Sequence, residues 1–225
     1  YSITREECDA FAVQSHQKAQ QAWDSGKFQD EVIPLVVKAK KETKTINFDE
    51  GIRKDSSIES LNKLKTLLPN GVTTAGNSSQ QNDAAAGCLV VSREYLEKYN
   101  LEPMAKIIGW SSAGCDPSRM GIGPVPAVRK LLKKTNILLG DIDLIEINEA
   151  FAAQALAVIK ELNIQDTANI NVNGSGISLG HPIGATGMRI MTTLLHEMKR
   201  RNARYGLETM CIGGGQGLAA LFERV

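Results

Sequence analysis

An α/β fold whose sheet is covered on both faces is what this sequence predicts, and three observations predict it. Short apolar runs at 88–91, 105–111, 144–147, 169–172 and 208–212 alternate with helix-period segments at 93–99, 124–134, 151–162 and 187–202. Strands separated by helices of that length need crossovers, which lay helices against a sheet. Apolar residues make up 42% of the 225 positions, enough for a sizeable core. Residues 1–68 break the strand–helix rhythm, so a domain boundary is read near 69–71, and the first part reads as an excursion from a domain that begins before Tyr1.

Each element has its own signal. Ser2 or Thr4 is placed to cap a first helix with Glu6 and Glu7 in its opening turn. Phe11, Ala12, Ser15, Ala19 and Ala22 carry the helical period to about Trp23, and Gly26 ends it. Residues 32–38 read as a strand, and the KAKKETK run at 38–44 as a solvated hairpin rather than a binding patch. An irregular stretch then leads to a short helix capped by Ser56 or Ser57, with Ile58, Leu61 and Leu64 on one side. After the boundary the alternation runs from the strand at 88–91 to the helix at 187–202. The final pair, 208–212 and 217–223, flanks three glycines and reads as a hairpin.

Composition narrows the function. Lys plus Arg is 26 against 25 for Asp plus Glu, so no global field selects nucleic acid or an anionic membrane. The four cysteines, Cys8, Cys88, Cys115 and Cys211, are scattered without metal-ligand or disulfide-framework spacing, as in a reducing compartment. No apolar run is long enough to span a bilayer and the start has no signal-peptide pattern, so a cytoplasmic location is expected.

The chemistry gathers around VNGSGISLGHPIGATGM at 172–188. Glycine at so many positions is kept where the backbone must come close to a ligand or to another backbone, and one histidine, His181, sits inside that frame. Such a ring can act as a general base or donate to a developing enolate. IEINEAF at 145–151 puts Asn148 and Glu149 at the end of an apolar strand, where polar residues serve catalysis, although Asn148 could equally cap the helix that follows. Cys211 ends another apolar run before Gly213, Gly214 and Gly215, whose N–H groups could form an oxyanion hole; taken alone it reads more simply as a small buried hydrophobe. TTAGNSS at 73–79 offers small residues and hydroxyls to an amide-bearing ligand, or is a turn. Neither GSGISLG nor GGGQG has the spacing of a dinucleotide fingerprint.

NEAFA at 148–152, GHPIGATG at 180–187 and CIGGGQG at 211–217, with GNSSQQND at 76–83 upstream, resemble the C-terminal signatures of the thiolases. MGIGPVPA at 120–127 and IRKDSSIESLNKL at 52–64 resemble the biosynthetic acetoacetyl-CoA type. The resemblance implies a thiolase-like layered fold, of which this chain holds the C-terminal half (71–225) plus the later part of the inserted loop domain (1–68). It implies a Claisen condensation of two acyl-CoA molecules, or its thiolytic reverse, through an acyl-cysteine. His181 matches the histidine that activates the nucleophilic cysteine and helps to hold the enolate oxygen. Cys211 matches the cysteine that moves the α-proton, Asn148 the residue that positions a water in the same oxyanion hole, and the Gly213 N–H a donor to the second hole. Ser79 is similar to a serine touching pantetheine, with Ala75 in the same segment, and Arg53 to an arginine near the coenzyme A phosphates.

Further expectations follow from the resemblance. No cofactor beyond the coenzyme A thioesters and no metal is expected. The nucleophilic cysteine belongs to an N-terminal half, and Cys8, Cys88 and Cys115 lie outside its motif, so the missing half or a partner chain is expected, within a homo-oligomer, a dimer or tetramer. Gln80 and Ala84 stand where the family usually has glycine, which reshapes the pantetheine wall. His181 and Cys211 are expected to face one pocket. A degradative 3-ketoacyl-CoA thiolase and a non-catalytic CoA-binding fragment are the alternatives.

Overall fold

The computed structural model describes residues 1–38 and 42–225. Its first helix, α1 (Arg5–Asp24), starts where the capping residues put it. Glu7 N–H donates to Thr4 Oγ1 at 3.2 Å and Thr4 N–H donates to the Glu7 carboxylate at 2.6 Å, so two otherwise orphaned donors are satisfied reciprocally. The helix buries Cys8, Ala12, Ala19 and Ala22 together with Asp9. Asp9 is tolerated there because Arg5 Nε (2.7 Å) and Asn77 Nδ2 (2.8 Å) both donate to it. Arg5 also reaches the Leu61 and Leu64 carbonyls. This set draws α2 (Ile58–Asn62), capped by Ser57, and the 3-10 turn Ala75–Asn77 onto α1.

Between them, β1 (Leu35–Lys38) and β2 (Thr43–Ile46) form an antiparallel pair with Leu35 opposite Ile46. The first strand starts later than the sequence reading because Pro34 has no N–H to give a ladder. Residues 39–41 of the KAKKETK run lie outside the described residues.

The main sheet has the order β3-β6-β5-β4, from β3 (Ala105–Gly114), β4 (Leu144–Ile147), β5 (Tyr205–Ile212) and β6 (Gln216–Arg224). The pair β4–β5 is parallel and the others are antiparallel. On one face α4 (Pro124–Thr135) and α5 (Ala152–Glu161) close a core of Val128, Leu131, Ile145, Ile147, Val158, Leu207 and Leu221. On the other face α7 (Thr186–Arg201) sets Leu194 and Met198 against Leu144, Ala220 and Phe222. Each fully buried Leu or Ile contributes roughly 1.5–3 kcal/mol. The helices α3 (Arg93–Tyr99), α4 and α7 all end on an asparagine in the left-handed region, Asn100, Asn136 and Asn202, where this short side chain tolerates a positive φ.

Two expected strands do not form. Residues 88–91 have no strand partner among the described residues, and Leu89 and Val90 are 76% and 68% exposed. A strand without a neighbour leaves its backbone groups to water. Residues 169–172 begin a parallel pairing with β4, through Ile145 N–H to the Asn169 carbonyl and Asn171 N–H to the Ile145 carbonyl, both 3.0 Å. Asn171 then turns to φ 46°. Its carboxamide takes over the ladder, accepting from Ile147 N–H at 2.8 Å and donating to the Ile147 carbonyl at 2.9 Å.

Candidate active site

The parallel strands β4 and β5 end side by side, and the polar residues collect there. Asn148 N–H donates to the Thr209 carbonyl at 3.0 Å, which keeps Asn148 in line with the strand. Asn148 does not cap α5: the cap residue is Phe151 and no side chain bonds it. Instead the fully buried Asn148 side chain turns to His181, its Nδ2 3.4 Å from each ring nitrogen. Asn148 Oδ1 has no hydrogen-bond partner among the described residues. It rests against Gly176, where an added Cβ would come within 2.8 Å.

His181 arrives at the end of a short helix, α6 (Gly176–Leu179), through Gly180 at φ 102°. A side chain at Gly180 would overlap the Asn82 carboxamide, so both the backbone angle and the close approach require glycine. The His181 N–H donates to the Gln80 carbonyl at 3.2 Å, and Nδ1 lies 2.6 Å from Thr186 Oγ1 in the first turn of α7. Burial, and then the Arg189 charge, hold the imidazole below its ordinary pKa. The ring is therefore neutral at pH 7. When Nδ1–H donates to Thr186, Nε2 carries the lone pair, as a general base requires.

Glu149 organises the same region. Its carboxylate accepts from Ser15 Oγ (2.6 Å), Asn171 Nδ2 (2.9 Å) and Ile177 N–H (3.1 Å), tying α1, the turn after 169 and α6 to the end of β4. Burial pushes this carboxyl above its usual range.

Cys211 lies two residues beyond Thr209 on β5, paired with Gly217 of β6. It is buried, and burial raises its thiol pKa, with Cys115 adding to the rise. The thiol, not the thiolate, is its resting form. Gly213 is exposed in the turn to β6, where Gly214 and Gly215 have φ 87° and 85°. A cleft of about 500 Å³ opens at His181, walled by Asn82, Asp83, Ala84, Pro182 and Ile183. Cys211 is not among its walls, and among the described residues no hydrogen bond joins it to His181 or Asn148.

Of the residues the sequence singled out, Asn148 and His181 are in contact, and Ser79 is beside them, its N–H donating to the Ala150 carbonyl at 3.0 Å. Cys211 and Gly213 share the same end of the sheet on the next strand. Arg53 and Ala75 are exposed on neighbouring segments. Arg53 N–H donates to Nδ1 of buried His16 at 3.2 Å; burial, then Arg53, push that histidine down to about 4. Sequence reasoning missed Thr186, His16 and the side chain of Gln80. Thr186 left a trace as a hydroxyl inside the glycine frame five residues after His181, and Gln80 as a residue standing where the family usually has glycine, read there as part of the pantetheine wall rather than as a contact to Gly51 and Ile177.

Comparison with known proteins places this geometry. A model of the thiolase N-terminal domain matches residues 1–94, and one of the thiolase C-terminal domain matches residues 101–224. Beta-ketothiolase BktB of Cupriavidus necator is 48% identical over 227 residues, covering 100% of this chain and 57% of its own length. The human mitochondrial 3-ketoacyl-CoA thiolase is 46% identical, over 99% of this chain and 56% of its own. Among solved structures, the acetyl-CoA acetyltransferase of Bacillus anthracis superimposes with a TM-score of 0.96 at 46% identity, covering 100% of this chain and 57% of its own. The human mitochondrial 3-ketoacyl-CoA thiolase in complex with CoA gives 0.91 at 44%, over 99% and 55%. The chain thus spans a little over half the length of the relatives it matches. With more than half of its residues matched by the C-terminal model, and the NEAFA and GHPIGATG segments meeting at one sheet end, the chain belongs to the thiolase family.

Proposed function

We propose that residues 1–225 are part of an acetyl-CoA C-acetyltransferase, joining two acetyl-CoA molecules into acetoacetyl-CoA or running the reverse thiolysis, once the N-terminal half with its nucleophilic cysteine is supplied. The observation that carries this reading is the His181 ring, 2.6 Å from Thr186 Oγ1 at Nδ1 and faced by the buried Asn148 side chain at the end of β4. In the first half-reaction His181 Nε2 takes the proton of the nucleophilic thiol. The thiolate adds to the thioester carbonyl, and coenzyme A leaves with the proton of the Cys211 thiol, giving an acyl-cysteine, a Cys211 thiolate and a protonated His181. In the second, Cys211 as thiolate removes an α-proton from another acetyl-CoA. The enolate oxygen is held by His181 and by a water on Asn148, and the enolate carbon attacks the acyl-cysteine carbonyl, which the Gly213 N–H helps to polarise. Collapse expels the cysteine thiolate, which takes its proton back from His181, and releases acetoacetyl-CoA. Each oxyanion donor of this kind is worth about 3 kcal/mol.

Ser79 and Ala75 would line the pantetheine and Arg53 would meet the phosphates, with no cofactor beyond coenzyme A thioesters. Residues 1–68 would be the later part of the loop domain and 71–225 the C-terminal domain, in a homodimer or homotetramer working in lipid metabolism. No helix among the described residues is long and apolar enough to cross a membrane; a cytoplasmic location is part of the proposal, although several relatives are mitochondrial.

The test is thiolysis of acetoacetyl-CoA by these residues joined to an N-terminal thiolase half. Turnover that His181→Ala lowers by about 10²–10⁴ supports the reading. Preference for longer ketoacyl chains would reassign it to the degradative class, with which the human 3-ketoacyl-CoA thiolase at 46% identity is in keeping. Binding of coenzyme A without thiolysis or exchange would leave a non-catalytic fragment.

A further inference from the structure

The loop carrying His181 is not held by its own glycines. Three segments far apart in sequence meet behind it, and the side chain of Gln80 lies between them. Its Nε2 donates to the Gly51 carbonyl at 2.8 Å and to the Ile177 carbonyl at 3.0 Å, while its own backbone carbonyl receives the His181 N–H at 3.2 Å. One residue thus grips the His181 loop at both ends, at 177 and at 181. The grip is anchored on the far side. The segment containing Gly51 is bound to α1 through Arg53 N–H on His16 Nδ1 (3.2 Å) and Trp23 Nε1 on Asp49 Oδ2 (3.0 Å).

The fit is specific to this pairing. A Cβ placed on Gly51 would overlap the Gln80 carboxamide. Gly51 has an ordinary φ, so room for the Gln80 amide is what its missing side chain provides. Three carbonyls converge on that nitrogen, the third being Ser178 at 3.4 Å, and they fix the amide orientation, because a carbonyl or carboxylate oxygen in that place would face only acceptors.

We infer that Gln80 is a positioning residue for His181, an amide staple that locks the imidazole-bearing loop to the Arg53 segment. The inference rests on the proposed catalytic role of His181 for its consequence, but not for its existence. Misplacement of a reacting group by about 1 Å costs about 100-fold in rate, so the staple would act on turnover.

Amide exchange in this chain tests the staple directly. Gln80→Glu keeps the shape and removes the amide donations; Gln80→Gly removes the side chain. Both variants should speed exchange at the His181 amide by about tenfold, the effect expected of one or two net hydrogen bonds, and leave β5 and β6 unchanged. Gly51→Ala should disturb the same amide in the Gln80 background and be harmless with Gln80→Gly. Unchanged His181 exchange in both Gln80 variants, or equal effects of Gly51→Ala in the two backgrounds, would overturn the inference. Joined to an N-terminal half, Gln80→Glu should lower kcat by ten- to a hundredfold with KM less affected; unaltered kcat in an active enzyme would also overturn it. An enzyme without thiolase activity in its unmutated form, with the exchange effects present, would instead remove the proposed function and leave the staple standing.

Discussion

Thr186 is the hydroxyl placed to select the base nitrogen of His181, leaving Nε2 free when Nδ1–H donates to it. At 2.6 Å from Nδ1 it is the strongest contact the ring makes, and Asn148, at 3.4 Å from both nitrogens, chooses between them only weakly. Thr186→Val keeps the shape and removes the hydroxyl. The expected result is a mixture of ring tautomers in ¹⁵N spectra and a loss of turnover of about tenfold or more; a single unchanged tautomer would contradict it. Cys211 supplies a second prediction at this scale. Because burial raises its pKa, the thiol dominates at neutral pH. Under the proposed mechanism this thiol gives up a proton and takes one back in either direction, so Cys211→Ser, whose hydroxyl is a far weaker acid, should abolish thiolysis and condensation alike. Turnover retained in either direction would remove Cys211 from proton transfer. His181 and Cys211 stand out in the sequence because glycines frame them, and the fold brings His181 against Asn148 while Cys211 stays outside the cleft walls. The roles of Thr186 and Gln80 were not legible there, since a hydroxyl and an amide acquire meaning only from the atoms that folding brings to them.

At the scale of elements, legibility followed local information. The capping residues Thr4 and Ser57 placed α1 and α2, and the apolar run at 144–147 placed β4, because those signals lie within each segment. The runs at 88–91 and 169–172 look equally strand-like, yet neither forms a full strand. The first lacks a neighbour, and the second is cut short by Asn171, whose carboxamide substitutes for the backbone. The end of α7 is held by an arrangement no periodicity shows. Glu197 accepts from Arg200 at 2.7 Å, Arg201 at 2.6 Å and Asn173 at 3.0 Å, with Lys27 at 3.5 Å. Burial alone would raise its pKa, but the hydrogen bonds from Asn173, Arg201 and Arg200 outweigh it and pull the carboxyl down to about 2. A depressed carboxyl contributes stability that is present above its unfolded pKa and lost as pH falls through the folded one. Glu197→Gln should therefore destabilise the chain by about 1–3 kcal/mol near neutral pH. The difference from the unmutated chain should shrink between about pH 4 and pH 2. A deficit in urea unfolding that stays constant over that range would show that the glutamate acts by shape rather than charge.

The whole molecule carries an opposite pH dependence, centred on the polar layer between the sheet and α7. Burial pushes Glu146 and Glu208 up to about 8 and Glu31 up to about 7, with Arg189 acting against the rise in each case. The compensation is incomplete. Arg189 Nε and Nη1, Glu208 Oε2 and Glu31 Oε1 are all buried without a partner among the described residues, and such groups cost more than paired ones return. This layer was invisible in the sequence, where Glu146 and Glu208 are single acids inside apolar runs and Glu31 belongs to a loop. It also bears on the extent of the fold. The sequence rhythm suggested a boundary at 69–71, whereas the family models end and begin at 94 and 101; Glu31 reaches the environment of the main sheet across either division. The sign of the effect is fixed. A carboxyl whose folded pKa lies above its unfolded value keeps its proton on folding, so its contribution is fully present below the unfolded pKa and is lost as pH rises through the folded one. Stability should thus decline from about pH 5 to pH 9. A loss of even about 2 kcal/mol moves the thermal midpoint of a chain this size by about 4–8 °C. Glu208→Gln, neutral at every pH and close in shape, should raise the midpoint at pH 9 and leave it nearly unchanged at pH 5. Calorimetry at the two pH values decides the matter, since a midpoint that Glu208→Gln lowers equally at both would mean that the ionised carboxylate is stabilised by Arg189 rather than suppressed by burial.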